Sequence, residues 1–205
     1  MIYSNLSVNE AGHLTIAGLD AVALTEEYGS PLMVLDEGRV REHCRTYVES
    51  MQKYLPAGSM PLYAGKAFCF KSLYKIIESE GMGADVVSPG EVYTVSAAGF
   101  PMEHVYFHGN NKTDEDIALA IEKKLGCFVA DNRDELCSID CIARENGITQ
   151  RVLLRLTPGI DPHTHAKIST GKVDSKFGTA IETGQAMELV EFALSLKNID
   201  LEGFH

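Results

Sequence analysis

One lysine stands in an otherwise uncharged stretch, PLYAGKAF, at positions 61–68. Lysine is rarely buried, and an ammonium group in apolar surroundings either finds a partner or loses its proton. A deprotonated lysine is a nucleophile that attacks carbonyl carbons. Lys66 is therefore the first candidate for chemistry, and the alternative is a lysine at a strand end that reaches solvent.

Further polar side chains follow apolar runs at regular intervals along the chain. They are Asp85, His108 with Asn110, Asp131, Arg155 and His205. If each run is a strand of one parallel sheet, these side chains all lie at its carboxyl edge, where ligands gather. An arginine inside such a strand needs an anionic or acceptor partner. These polar side chains therefore predict a ligand site at the carboxyl edge of the sheet.

Six apolar runs predict the strands that position these residues, each buried on both faces. They are residues 60–67, 83–88, 104–109, 127–132, 151–157 and 201–205. The midpoints of the first five lie about 20–25 residues apart, which is the length of a strand, a turn, a helix and a return. The pattern predicts consecutive parallel βα units.

Helical patterns lie between the runs. Three of them begin at predicted N-cap residues, Ser88, Thr113 and Asn132. In the first, Pro89 opens the helix, Glu91 closes a capping box and Gly99 ends it; in the second, Asp116 closes the box. The last interval holds a helix within 182–198 and a polar loop from about 158 to 180, and a loop of that length is usually functional.

Two architectures fit parallel βα units, a doubly wound open sheet and a closed (β/α)8 barrel. The barrel is favoured because a polar group follows every strand, and because no GxGxxG motif follows any of them. A barrel needs eight strands and this sequence predicts six. We therefore expect an incomplete parallel (β/α)8 barrel.

Composition narrows the possible partners. The formal net charge of −11 argues against nucleic acid or an anionic membrane as a partner. No apolar run approaches the roughly 20 residues that span a bilayer, and the N-terminus has no signal-peptide pattern, so we expect a cytoplasmic protein. Five cysteines without a CxxC motif predict neither disulfides nor zinc, and Cys137 and Cys141 are interpreted as packing residues. His163 and His165 alone are poor evidence for a metal.

Five motifs, in order and spacing, resemble the diaminopimelate decarboxylases, which are pyridoxal-phosphate enzymes of the alanine-racemase barrel type. They are YAGKAF, GMGADVVSPGE, VYFHGNNKT, LLRLTPGIDPHTHAKISTGKVDSKFG and LEGFH. The resemblance implies that Lys66 carries pyridoxal 5'-phosphate as an internal Schiff base. It also implies that Asp85 and Arg155 lie beside the cofactor and that His205 belongs to the cofactor site. His108, Asn110 and Lys112 lie in a matching motif whose role is either structural support or contact with the cofactor, and Lys176 lies in a matching motif without an assigned chemical role.

For the complete protein the resemblance implies decarboxylation of meso-2,6-diaminopimelate to L-lysine by a homodimer. It divides the chain into an N-terminal segment, residues 1–35, and a partial cofactor-binding barrel, residues 36–205. The family's phosphate-binding glycine loop, its ring-stacking histidine, its pyridine-binding glutamate and its β domain are expected beyond His205. We therefore expect residues 1–205 alone to be inactive.

Three alternatives remain open. The first is a related decarboxylase of ornithine, arginine or carboxynorspermidine. The second is an amino-acid racemase, which is less favoured because the lysine motif continues AFCFKS where racemases carry ANAYGHG. The third is a half-barrel without catalytic activity.

Overall fold

The computed structural model describes residues 3–160 and 177–205, which divide into two compact units at Pro61 and Leu62. The first unit contains three short antiparallel strands, β1 (Leu6–Val8), β2 (Leu14–Ile16) and β3 (Leu19–Asp20). Two helices follow, α1 (Ala21–Tyr28) and α2 (Glu37–Tyr54). Helix α2 was not predicted, although Val40, Cys44 and Tyr47 repeat at helical spacing.

The second unit is built on a six-stranded parallel sheet. Its strands are β4 (Leu62–Ala64), β5 (Gly83–Val86), β6 (Val105–Phe107), β7 (Cys127–Ala130), β8 (Gln150–Leu154) and β11 (Ile199–Phe204). Each strand lies beside the preceding strand of this sheet, in the order β11-β8-β7-β6-β5-β4. A doubly wound sheet reverses its strand order at a switch point, and this sheet does not. The predicted barrel-type winding is confirmed.

Helices connect these strands. They are α3 (Lys71–Ser79), α4 (Pro89–Ala97), α5 (Asp114–Glu122), α6 (Arg133–Glu145) and α7 (Gln185–Ser195). Ser88, Thr113 and Asn132 accept hydrogen bonds as N-caps of α4, α5 and α6, as predicted. Thr113 and Asp116 form the full capping box. Glu91 instead accepts from the amide of Val87, 3.0 Å away, because its side chain reaches back to the end of the strand.

The core lies between the central strands and the helices. The Phe107 and Phe128 rings, with centroids 5.9 Å apart, are both essentially inaccessible to solvent. Ile117, Ala120 and Ile121 of α5 are buried on one helix face, as predicted. Burial of an isoleucine side chain contributes about 2–3 kcal/mol before the cost of ordering it. This packing fixes the strand ends that carry the candidate site.

Three details differ from the sequence predictions. Strands β4 and β11 are only partly buried, because each lies at an edge of the described sheet and lacks a neighbour on one side. Cys137 is exposed rather than packed, because it lies on the outer face of α6. A two-residue parallel pair, β9 (Leu156–Thr157) with β10 (Thr179–Ala180), was too short to predict.

Candidate active site

Lys66 lies in a single 3-10 turn, Gly65–Ala67, directly after β4, rather than inside the predicted strand. Its side chain is exposed. The turn packs so closely on the rest of the unit that a Cβ on Gly65 would meet the Tyr74 hydroxyl and lie 2.9 Å from Glu91 Oε2. Only glycine fits there without a shift of these neighbours, so Gly65 fixes where Lys66 leaves the sheet.

Asp85 lies in the neighbouring strand, with Ala64 of β4 and Tyr106 of β6 as its register partners. Its Oδ1 is buried and has no hydrogen-bond partner among the described residues. Burial raises the pKa of the Asp85 carboxyl to about 6, although the cations of Lys66 and Arg155 oppose that rise. A buried carboxylate oxygen without a hydrogen-bond partner, close to two cations, is typical of a ligand-binding site.

His108 follows β6 and is buried. Its backbone amide donates to Val86 O at 2.8 Å, which ties the residue to β5. Its Nε2 lies 3.5 Å from Asp85 Oδ1, just beyond the length of a normal N–H···O hydrogen bond. Burial, and then the charges of His205, Lys112, Arg155 and Lys66, lower the pKa of His108 to about 3. The imidazole is therefore neutral at pH 7.

His108 and His205 meet edge to face, with ring centroids 4.5 Å apart. They follow β6 and β11, which are three strand positions apart in the sheet. In a flat sheet that separation is roughly 14 Å, more than two imidazole side chains can bridge. The contact shows that the sheet curls strongly at its carboxyl edge, as a barrel wall does. Burial and the Arg155 charge lower the pKa of His205.

Arg155 lies directly after β8. Its guanidinium stacks on the Phe177 ring at 4.2 Å, and its Nη1 lies 3.7 Å from Asp131 Oδ1. Asp131 is buried, and its Oδ2 accepts a hydrogen bond from the Gly178 amide at 3.1 Å. Its Oδ1, like that of Asp85, has no hydrogen-bond partner within the described residues. Asp131 therefore holds Arg155 and the Phe177–Gly178 backbone at one point.

Gly178 is fixed by the same contacts. Its φ of +72° favours glycine, and a Cβ there would lie 2.9 Å from Arg155 O and 3.0 Å from Thr157 Oγ1. The Thr157 hydroxyl also donates to Phe177 O at 2.7 Å. A side chain at residue 178 would displace this packing, which explains why glycine follows Phe177 in the DSKFG motif.

Lys112, for which the sequence left structural support and cofactor contact as alternatives, is a buried residue that supports the neighbouring loops. Its Nζ donates to Gly109 O at 2.8 Å, to Val129 O at 2.9 Å and to Glu135 Oε1 at 2.7 Å. Glu135 Oε2 in turn accepts from the Asp131 amide at 3.0 Å. Burial lowers the pKa of Lys112, and the Glu135 carboxylate opposes this shift. The pair links the loops that carry His108 and Asp131.

The structure brings the four predicted site residues to one edge of the sheet. The cations of Lys66 and Arg155 are close enough to Asp85 to favour its ionised form, and burial and the Arg155 cation lower the pKa of His205. The contacts of Asp131, Glu135 and Glu91 that position this edge were not predicted from the sequence. Their signal in the sequence was a carboxylate within a few residues of a strand end. Asn110 is exposed near this edge.

Other predicted candidates have a different status. His163, His165 and Lys176 lie outside the described residues. The part of the chain that the structure describes contains no group of three or more His, Cys, Asp or Glu side chains arranged to hold a metal ion. Within residues 3–160 and 177–205, no helix is long and apolar enough to cross a membrane.

A family model and the most similar curated proteins assign this chain to the same family. The model of the pyridoxal-binding domain of pyridoxal-dependent decarboxylases matches residues 37–205. Diaminopimelate decarboxylase of Bacillus subtilis is 43% identical over 199 residues, which are 96% of this chain and 45% of that protein. The Mycobacterium tuberculosis enzyme of the same name is 37% identical over 98% of this chain and 44% of its own length. The chain spans about half the length of these relatives.

Solved structures agree with this result. Diaminopimelate decarboxylase from M. jannaschii in complex with L-lysine has a TM-score of 0.87 and 33% identity, over 98% of this chain and 47% of that one. Lysine/ornithine decarboxylase from Vibrio vulnificus in complex with cadaverine has a TM-score of 0.67 and 26% identity, over 89% of this chain and 43% of that one.

Proposed function

The chain belongs to the family of pyridoxal-dependent decarboxylases through its pyridoxal-binding domain, and from this we propose that the complete protein converts meso-2,6-diaminopimelate to L-lysine and carbon dioxide. The cofactor of this domain family is pyridoxal phosphate. One observation carries the proposal: a chain so similar to diaminopimelate decarboxylases has an exposed lysine at the sheet edge where ligands of barrel enzymes bind.

The residues at this edge fit pyridoxal phosphate. The cofactor has an aldehyde that takes an amine, a ring that can carry positive charge, and an anionic phosphate. Lys66 supplies an exposed amine, Asp85 and Asp131 have buried carboxylate oxygens without hydrogen-bond partners among the described residues, and Arg155 supplies a cation. The donor and acceptor types therefore match the groups of the cofactor.

We assign Lys66 Nζ as the atom that attaches the cofactor covalently. An amine must be neutral to form that bond, so its proton has to move to another group first. Asp85 has a pKa of about 6, so its carboxylate is mostly ionised at pH 7 and offers an acceptor for a proton or a hydrogen bond.

Arg155 and His205 are assigned as cofactor-binding residues. The Arg155 guanidinium is held on one face by Phe177 and lies near Asp131, so its orientation is fixed before any ligand binds. A fixed cation orients an anionic ligand at a small entropic cost. His205 packs edge to face on His108 at the carboxyl edge of the sheet. When bound, pyridoxal phosphate supplies the electron sink that accepts the electron pair left as carbon dioxide departs.

The choice of substrate is supported by the order of similarity among the relatives. Diaminopimelate decarboxylases match more closely, in identity and in TM-score, than the lysine/ornithine decarboxylase. The M. jannaschii enzyme was solved with L-lysine, which is the product of the proposed reaction. Ornithine, arginine and carboxynorspermidine are the competing substrates, and racemisation is the competing reaction.

The substrate is tested on the complete protein. Incubated with meso-2,6-diaminopimelate and pyridoxal phosphate, it should release carbon dioxide and form L-lysine in equal amounts. Ornithine, arginine and carboxynorspermidine are offered in parallel reactions. Turnover of one of these without turnover of meso-2,6-diaminopimelate would assign the protein to a related decarboxylase, and stereochemical inversion without carbon dioxide release would identify a racemase.

The attachment residue is tested by borohydride reduction and peptide mapping. The cofactor should be fixed on Lys66, and Lys66→Ala should abolish both the attachment and turnover while the protein stays folded. Lys75→Ala, at an exposed position on α3, is the matched control and should behave as wild type. Attachment at Lys71 or Lys112 would contradict the assignment; Lys112 is already enclosed by three acceptors.

Further expectations remain predictions. The complete protein is expected to be a cytoplasmic homodimer that acts on a small amino acid. Residues 1–205 alone are expected to bind the cofactor weakly and to show no decarboxylation. Size measurement of the complete protein tests the homodimer, and an assay of residues 1–205 tests the absence of decarboxylation.

A further inference from the structure

The carboxylate of Asp85 has one buried oxygen, Oδ1, without a hydrogen-bond donor among the described residues. A buried carboxylate oxygen normally accepts at least one hydrogen bond, and an unmade bond costs about 1–3 kcal/mol. Asp85 Oδ1 accepts none from the described residues, and the nearest ion-pair partner is His108 Nε2 at 3.5 Å. A shift of a few tenths of an ångström would close this gap to hydrogen-bond length, and such contacts often tighten when a ligand binds.

The His108 ring is held in place from two sides. Its backbone amide donates to Val86 O, in the strand that carries Asp85. Its ring packs edge to face on His205, 4.5 Å between centroids. The side chain is only 11% exposed. Since few other orientations are open to a ring so confined, Nε2 stays near Asp85 Oδ1 without a large loss of side-chain entropy on binding.

The protonation states suit a donor and an acceptor. His108 is neutral at pH 7, because burial and nearby cations disfavour its charged form. A neutral imidazole carries one proton, and the tautomer with that proton on Nε2 donates to Asp85. The titratable groups that act on this pair from the surrounding elements are Lys66, Glu91, Lys112, Arg155 and His205. The Lys66 and Arg155 cations favour ionised Asp85, and these two together with Lys112 favour neutral His108.

We propose that His108 is a positioning residue for Asp85: its Nε2–H bonds to Oδ1 and holds the carboxylate ionised and directed towards the Lys66 edge of the site. The use of this carboxylate beside the cofactor rests on the proposed function, whereas the His108–Asp85 bond itself does not. His108 acts through Asp85. The chemistry it serves is the proton transfer that precedes covalent attachment, in which the Lys66 ammonium gives a proton to the ionised Asp85 carboxylate and becomes a neutral amine.

The test measures the titration of the Asp85 carboxyl in the complete protein without cofactor. Carbon-13 NMR with carboxyl-labelled aspartate follows the signal that disappears in Asp85→Asn. His108→Phe keeps a ring against His205 but has no donor, so the titration midpoint should rise by about one pH unit, a tenfold change in the ionisation constant. His108→Gln restores an amide N–H at a similar reach and should return the midpoint towards the wild-type value.

Two further variants complete the experiment. His108→Asn has an amide too short to reach Asp85 and should behave as His108→Phe, and it replaces that variant if the phenylalanine protein does not fold. His104→Phe is the matched control, an exposed histidine before the amino end of the same strand, and should leave the midpoint unchanged. An unchanged Asp85 midpoint in both His108→Phe and His108→Asn would overturn the inference.

Borohydride capture of pyridoxal phosphate separates this inference from the proposed function. Capture on Lys66 in wild type, with a pH profile whose acidic limb moves upwards in His108→Phe, supports both. A shifted Asp85 midpoint without capture on Lys66 would keep the His108–Asp85 bond and overturn the cofactor assignment. Capture on Lys66 with the same profile and the same midpoint in all variants would keep the assignment and overturn the positioning role.

Discussion

The two units of this chain are stabilised in different ways. Among the described residues of the first unit, three are buried, Thr15, Cys44 and Pro61, and helix α1 buries none. The second unit buries whole rows of side chains between its parallel strands and its helices. A parallel sheet covered by helices buries both strand faces, whereas a short antiparallel sheet buries at most one.

The difference shows which kind of interaction can hold a site. The first unit depends on polar contacts without a packed core around them: Asp20 caps α1 and accepts from Asn9 and His13 at 2.8 and 2.9 Å, and Asp36 accepts from Asn5 at 2.9 Å. The second unit joins residues far apart in sequence, such as Asp85 with His108 and Asp131 with Gly178. The candidate site lies where a packed core fixes the ends of several strands at once.

Truncation of a core ring should give the largest contrast between the units. Phe128→Ala removes a fully buried side chain from the second unit and should lower the free energy of unfolding of the complete protein by about 3–5 kcal/mol. Tyr28→Ala removes a 65%-exposed ring from the first unit and should change it by less than about 0.5 kcal/mol. Urea unfolding measures both. A similar loss at Tyr28 would show that this ring is packed in the complete protein.

Loss of an ion pair should also destabilise the protein more in the second unit than in the first. Lys112→Met leaves the buried Glu135 carboxylate without its cation and should cost about 3–5 kcal/mol. In the first unit, Arg39→Met breaks the pair with Glu42, which is 62% exposed, and should cost at most about 0.5 kcal/mol. Chemical unfolding at low and at high salt distinguishes the two, since only the exposed pair is screened. Equal losses would remove burial as the reason for the difference.

Two aspartates should show opposite pH dependence. Burial raises the pKa of Asp85 to about 6, so ionisation of this carboxyl lowers the free energy of unfolding. The loss is absent below about pH 4, grows between pH 4 and pH 6, and is complete above pH 6. Asp85→Asn should therefore stabilise the protein at pH 7, by up to about 3 kcal/mol, with a gain that disappears as the pH falls to 4. A hydrogen bond from His13 lowers the pKa of Asp20 to about 2.

Because Asp20 favours its ionised form in the folded state, it contributes stability above about pH 4, and that contribution is lost as the pH falls to 2. Asp20→Asn should therefore destabilise the protein at pH 7 and have no effect near pH 2. Unfolding free energies measured across pH 2–8 for wild type and both variants test the signs. The same sign for both aspartates would contradict the assigned causes.

Helix capping should give the smallest contrast, because each N-cap bond is local to its own helix. Thr113→Ala removes the N-cap of α5 in the second unit, and Asp36→Ala removes that of α2 in the first, together with the hydrogen bond that Asp36 Oδ2 accepts from Asn5 at 2.9 Å. Each cap should contribute about 1 kcal/mol, and loss of the Asn5 bond should add about 1 kcal/mol at Asp36. Thermal unfolding of each variant against its Ser counterpart gives the comparison. A difference much larger than 1 kcal/mol between the sites would show that one cap also supports tertiary packing.

The fold was predictable to a large extent because its signals are local. The six apolar runs predicted all six strands of the main sheet, and the caps at Ser88, Thr113 and Asn132 predicted where three helices begin. The motifs predicted the family, which the comparisons confirm. The predicted burial of the outer strands was wrong, since burial depends on neighbours that a strand's own sequence does not specify. The exposure of Cys137 was missed for the same reason.

The sequence by itself determined which residue types follow each strand: a lysine after β4, an aspartate in β5, a histidine after β6 and an arginine after β8. Residue type and strand order are local properties, because a pattern of apolar and polar residues decides where each element begins and ends. Only the tertiary structure decided which of these side chains touch. His108 meets His205 across three strand positions because the sheet curls, and Asp85 Oδ1 is left without a hydrogen-bond partner among the described residues because the core packs around it.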